Sequence, residues 1–134
     1  MVKIVQKKLR CFDKLRLGQG SGGTVDRVTR RDGKHYVLKT VADGQDGLRE
    51  MSNLIMLEGA PHGIQLLMAS VVTSPKLDVS LLFAYHGVFT MDLVSYVNTR
   101  GTLDPSLVRL IARQLIKFIS WCIDKAALYH SDLR

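Results

Sequence analysis

Gly18-Gln19-Gly20-Ser21-Gly22-Gly23-Thr24-Val25 places four glycines in six positions, and fourteen residues beyond Val25 a single lysine, Lys39, stands inside the apolar run Tyr36-Val37-Leu38-Lys39-Thr40-Val41. Glycine reaches φ > 0 at little cost and lets the backbone approach a ligand, because no Cβ intervenes. A loop of this kind can wrap phosphates with its N–H groups. A mobile hairpin tip is the plainer reading of the same residues.

What lies on either side decides between glycine motifs. Upstream, Phe12-Asp13-Lys14-Leu15-Arg16-Leu17 alternates apolar and charged residues, the period of a half-buried strand. Downstream, Thr24, Val25, Val28 and Thr29 are β-branched and suit a second strand better than the first turns of a helix. A dinucleotide fingerprint needs its glycines to open a helix, so strand, glycine loop, strand excludes it.

Arg31-Asp32-Gly33-Lys34 contains a turn-forming Asp-Gly pair, and His35 to Val41 reads as the next strand, with Val37 and Lys39 on one face. A lysine on an apolar face either meets a carboxylate or phosphate or snorkels at the strand end. Ala42 to Gly47 reads as a polar loop. Leu48, Met51, Leu54 and Ile55 then recur at helical spacing up to Gly59. Glu50, next to that stripe, either points toward the packed face, where Lys39 is the available cation, or stays exposed at its edge.

Two apolar segments, 64–73 and 77–85, flank Ser74-Pro75-Lys76 and read as a strand pair. Residues 90–98 form a short helix stopped by Gly101, and Asp104-Pro105 opens a longer one over 105–125 with aspartate as N-cap and proline at N1. Only Arg109, Arg113 and Lys117 interrupt the apolar circumference of that last helix, so a partner or further chain is expected to cover it.

The 134 residues carry a net charge of +7, with Lys3, Lys7, Lys8, Arg10, Lys14 and Arg16 loading it onto the N-terminal stretch. That balance suits acidic partners such as phosphates, or simply a solvated basic face. Neither an RNP-like sequence nor a helix-turn-helix pattern is present, so nucleic acid is not the expected partner. The two cysteines, Cys11 and Cys122, lie in no CxxC or Cys/His cluster, which argues against a disulfide framework or a zinc site, and no metal ligands are assigned. The chain has neither a signal-peptide core nor an apolar run of about 20 residues, so no membrane contact and an intracellular location, cytoplasmic or nuclear, are expected.

With these residues in hand, the sequence resembles a protein kinase of the eukaryotic type, with a serine/threonine, Pim-like flavour in Met91 to Tyr96 and Cys122 to His130. Gly18-x-Gly20-x-x-Gly23-x-Val25 is similar to the kinase glycine loop, Tyr36-Val37-Leu38-Lys39 to its lysine strand, and His130-Ser131-Asp132-Leu133-Arg134 to the start of its catalytic loop. The resemblance implies an α+β fold. Residues 1–83 would form a small lobe of five antiparallel strands and one helix, 84–89 a hinge, and 90–134 the first helices of an incomplete large lobe.

The resemblance implies ATP as ligand and a protein hydroxyl as acceptor. Gly18, Gly20 and Gly23 would cover the phosphates and Val25 the adenine, beside Val37. Lys39 would hold the α- and β-phosphates and pair with Glu50. Phe83 would be the gatekeeper, Ala84, Tyr85 and His86 the hinge, Asp92 a ribose ligand and Asp132 the catalytic base. Magnesium is expected only in a complete kinase, because its usual ligands would follow Arg134. The chain is therefore expected to be inactive alone, or to act as a kinase-like regulatory or decoy module through helix 105–125. Val37 replaces a small alanine, Ser131 an arginine and Arg134 a lysine of the family pattern, the last not a neutral exchange.

Overall fold

The computed structural model describes residues 1–87 and 92–126. These fall into two units, one made of residues 1–58 and 64–85, the other of residues 59–63 and the described residues from His86 onward.

The first unit is a six-stranded sheet with one helix. Its strands are β1 (Lys3–Val5), β2 (Phe12–Gly20), β3 (Gly23–Thr29), β4 (His35–Val41), β5 (Leu66–Val72) and β6 (Asp78–Ala84), in the order β1-β5-β6-β4-β3-β2. Strands β2 to β6 are the five expected from the sequence, and they pair with one another antiparallel. The expectation of a wholly antiparallel sheet needs correction. A sixth strand, β1, runs parallel to β5 with Lys3 opposite Met68, so the sheet of this α+β fold is mixed. Pairing satisfies the backbone groups that the edge of β5 would otherwise leave open. Beyond β1, the Ser70 hydroxyl donates to the Lys7 carbonyl at 2.7 Å and holds the chain against the sheet.

β2 also departs from its expected half-burial. It is an edge strand, and Phe12, Leu15 and Leu17 are 51%, 49% and 40% exposed. Its alternation is broken twice, between Phe12 and Leu15 and between Arg16 and Gly18, and Asp13 takes a positive φ of 49° in the first irregularity.

The two faces of the sheet carry separate cores. Val41, Leu66, Ala69, Val79 and Leu81 are buried on one face, with Leu48, Met51, Leu54 and Ile55 packed against them. Val28, Leu38 and Leu82 are buried on the other, under Leu9, Cys11, Tyr36 and Met68. Each fully buried side chain such as Leu81 or Val79 contributes about 1.5–3 kcal/mol.

The helix on the first face, α1 (Gly44–Met56), begins four residues before the expected Leu48, taking in part of the expected polar loop. Asp43 is its N-cap, accepting from the backbone N–H of Gln45 and Asp46 at 2.8 and 3.2 Å. Gly44 and Gly47 read as loop residues, yet they are helical because packing requires them. A Cβ on Gly47 would lie 2.6 Å from the Val79 side chain, and one on Gly44 2.6 Å from Leu77.

The second unit is helical. α2 (Leu93–Arg100) starts at the N-cap Asp92 and ends at Gly101, whose φ of 88° suits glycine. α3 (Pro105–Trp121) starts at the N-cap Asp104 with Pro105 in its first turn, and a π-helical turn, Cys122–Ala126, follows it. Gly63 packs against the Phe118 ring, which a Cβ would approach to 2.8 Å. None of the residues of α3 is buried.

Candidate functional site

β2 and β3 form a hairpin whose last pair is Gly20 with Gly23, leaving Ser21 and Gly22 as a two-residue tip. The backbone N–H of Ala42 donates to the Gly22 carbonyl at 3.1 Å, tying the tip to the end of β4. The glycines divide into two kinds. Gly23 has φ 130°, and a Cβ there would stand 2.0 Å from the Thr40 carbonyl oxygen, so the close approach of β3 to β4 demands glycine. Gly18, Gly20 and Gly22 have nothing within 4 Å of where a Cβ would be among the described residues, whose packing does not ask for them.

Lys39 lies directly opposite Val25 on β3 and Leu81 on β6. Its Nζ donates to Glu50 Oε1 of α1 at 2.7 Å, the pairing that the resemblance implies and that the strand and helix periods left open. The two side chains are 30% and 34% exposed, so water screens the pair and its contribution to stability is at most about 1 kcal/mol. The Lys39 side chain stays partly accessible. Lys39 has three N–H donors, and Glu50 engages one of them.

Paired residues of neighbouring strands share a face, so Val25, Val37 and Phe83 line up beside Lys39. Val37 is buried, and Phe83 packs partly against the core beneath α1. Ala84 is exposed at the end of β6, and Tyr85 follows it within the first unit. The Tyr85 ring meets His35 edge-on at 6.0 Å.

His86 and Asp92 belong to the second unit. The Asp92 carboxylate caps α2, accepting from the Ser95 N–H at 2.6 Å, which holds its pKa below the usual aspartate range. Asp132, with the rest of the 130–134 motif, lies outside the described residues. Among the described residues no group of three or more His, Cys, Asp or Glu side chains is placed to hold a metal ion. Burial pushes the Cys11 and Cys122 thiols above their ordinary pKa, which suits small hydrophobes rather than reactive thiols.

Two residues of this region escaped the sequence reading. Leu17 sits where the β2 register skips one position, so that Leu17 and Gly18 together oppose Val25. Its place immediately before the glycine run was the available signal. Arg27, paired with Val37, lies over the Tyr85 ring at 5.9 Å, and its buried Nε has no hydrogen-bond partner among the described residues. No sequence signal marks it, since the contact joins β3 to a residue 58 positions away. No helix among the described residues is long and apolar enough to cross a membrane. Compared with models of known protein families, the chain matches none.

Proposed function

We propose that this chain carries the ATP-binding unit of a protein kinase of the serine/threonine type. The observation that supports this most strongly is the Lys39–Glu50 ion pair at 2.7 Å, set on the strand next to a glycine hairpin that is richer in glycine than its own packing requires. The donor set fits a polyphosphate. Glu50 orients the Lys39 ammonium and leaves it N–H donors for phosphate oxygens, and Gly18, Gly20 and Gly22 leave the hairpin backbone open to close approach. Val25, Val37 and Phe83 offer an apolar strip for a base, with Ala84 and Tyr85 proposed as the start of the hinge. Bound ATP with magnesium would supply the transferable γ-phosphoryl group. In the full reaction Asp132 would take the proton of the protein hydroxyl.

Calorimetric titration with ATP and magnesium tests this reading. Wild-type chain is expected to bind, and Lys39→Met to bind at least about tenfold more weakly, the loss of one charge-assisted hydrogen bond, with an unchanged circular dichroism spectrum. Absent binding by the wild type, or equal affinity in the variant, would overturn it.

One observation favours a second reading, a kinase-like regulatory or decoy module that docks through residues 105–125. Leu110 and Ile116 of α3 are 50% and 65% exposed. Sedimentation separates the two, since a monomer that stays monomeric at high concentration and captures no kinase speaks against docking.

A further inference from the structure

The face of the sheet opposite Lys39 holds a concave feature. β4 alternates, so Leu38 points away from the Lys39 side and joins Val28 and Leu82 beneath Leu9, Cys11 and Met68. At the margin of this core a cavity of about 390 Å³ is lined by Lys3, Lys7, Lys8, Arg10, Arg30 and Arg31, with Met68 among its apolar walls. No acidic side chain lines it, and among the described residues none of the six cations forms an ion pair.

The backbone that carries these charges is held by structure. Lys3 is fixed by the pairing of β1 with β5, and Lys7 by the bond from the buried Ser70 hydroxyl to its carbonyl. Leu9 packs inward, so its neighbours Lys8 and Arg10 stay at the surface. Arg30 donates to the Met68 sulfur at 3.3 Å, and the turn closed by the Gly33 N–H on the Arg30 carbonyl sets Arg31. Six cations converging on one cavity repel each other, and an anion within it removes that repulsion. An adjoining cavity shares Arg30, Arg31 and Met68 and contains one carboxylate, Asp32, which the Tyr36 hydroxyl and the Lys34 N–H already engage.

We propose that this cavity is a binding site for a compact anion bearing several phosphate monoesters, of the inositol phosphate class. Its volume suits a small molecule, and its lining offers no free aromatic ring for stacking a base, unlike sites for single-stranded nucleic acid. The same headgroup chemistry occurs free in solution and on a phosphoinositide membrane.

Binding of inositol hexakisphosphate to the whole chain, followed calorimetrically and by co-sedimentation with vesicles, tests the site. The wild type should bind, with affinity falling steeply as salt rises. Lys7→Glu with Arg31→Glu should weaken binding at least about tenfold, whereas Lys14→Glu with Lys76→Glu, of equal charge change outside the cavity, should change it less than about threefold. Lys39→Met should leave it intact, so failure here and failure of the ATP reading are distinguishable. Binding to vesicles of phosphatidylcholine with phosphatidylinositol bisphosphate, competed by the soluble phosphate, assigns the membrane source. Binding to the soluble anion without vesicle binding assigns the free one. Equal weakening by both charge-reversal pairs, or tighter binding of a single-stranded RNA than of the inositol phosphate, would overturn the proposal.

Discussion

The glycines of α1 and those of the β2–β3 hairpin are the same residue under opposite demands. Gly44 and Gly47 bring α1 against Leu77 and Val79, where a Cβ would intrude to 2.6 Å. Gly18, Gly20 and Gly22 face open space. Glycine inside a helix costs about 1 kcal/mol relative to alanine, a cost that the contact with β6 offsets. Among the described residues the hairpin has no such compensation at three of its four glycines, and the proposed phosphate contact is what would account for them. Gly23 stands between the two classes, inside the motif yet fixed by the Thr40 carbonyl.

Substitutions break that comparison open. Gly23→Ala has the largest expected effect, because the clash is with backbone and φ is 130°. It should destabilise by about 3 kcal/mol, read as a shift of the denaturation midpoint. Gly47→Ala should cost about 1–3 kcal/mol through overpacking against Val79. Lys39→Met is expected to change stability by no more than about 1 kcal/mol while lowering ATP affinity at least tenfold. Gly20→Ala should leave stability within about 1 kcal/mol, or raise it, since its φ is not positive and nothing is near. A large loss there would place Gly20 with Gly47 and remove the contrast.

The smallest expected effect is on pH. Asp104 caps α3, accepting from the Ser106 hydroxyl and N–H at 2.7 and 2.8 Å, and these bonds hold its pKa below the usual aspartate range. Asp92 does the same for α2. A depressed folded pKa means that the caps contribute fully above the ordinary aspartate range and are lost as pH falls through the lower folded value. Helical ellipticity should therefore decline only at strongly acidic pH, and Asp104→Asn, which caps without titrating, should flatten part of that decline.

What was legible in the sequence followed from local periods. The strand and helix periods bring Lys39 and Glu50 toward the same packed face, because a strand alternates every two residues and a helix returns within a turn, while the resemblance supplies their pairing. The caps Asp104 and Gly101 were legible for the same local reason. The start of α1 was not, since Gly44 and Gly47 look like loop until Val79 and Leu77 are known to lie against them. β1 was hidden because three residues in a basic stretch carry almost no pattern, and its pairing with β5 spans 65 positions. The exposure of β2 depended on strand order, which alternation does not encode. The basic cavity joins Lys3, Lys7, Lys8 and Arg10, a cluster plain in the sequence, to Arg30 and Arg31 of a separate segment, and that convergence has no local signal.

Both the hairpin with Lys39 and the basic cavity could attract a polyphosphate, and they lie on opposite faces of one sheet. The central claim is that ATP chooses the former. Backbone amide shifts in a ¹⁵N-labelled chain titrated with ATP and magnesium test it most directly. The account predicts perturbations concentrated at Gly18 to Val25 and around Lys39, abolished by Lys39→Met. Perturbations confined to Lys7 to Arg10 and Arg30 to Arg31, and unaffected by that substitution, would contradict it.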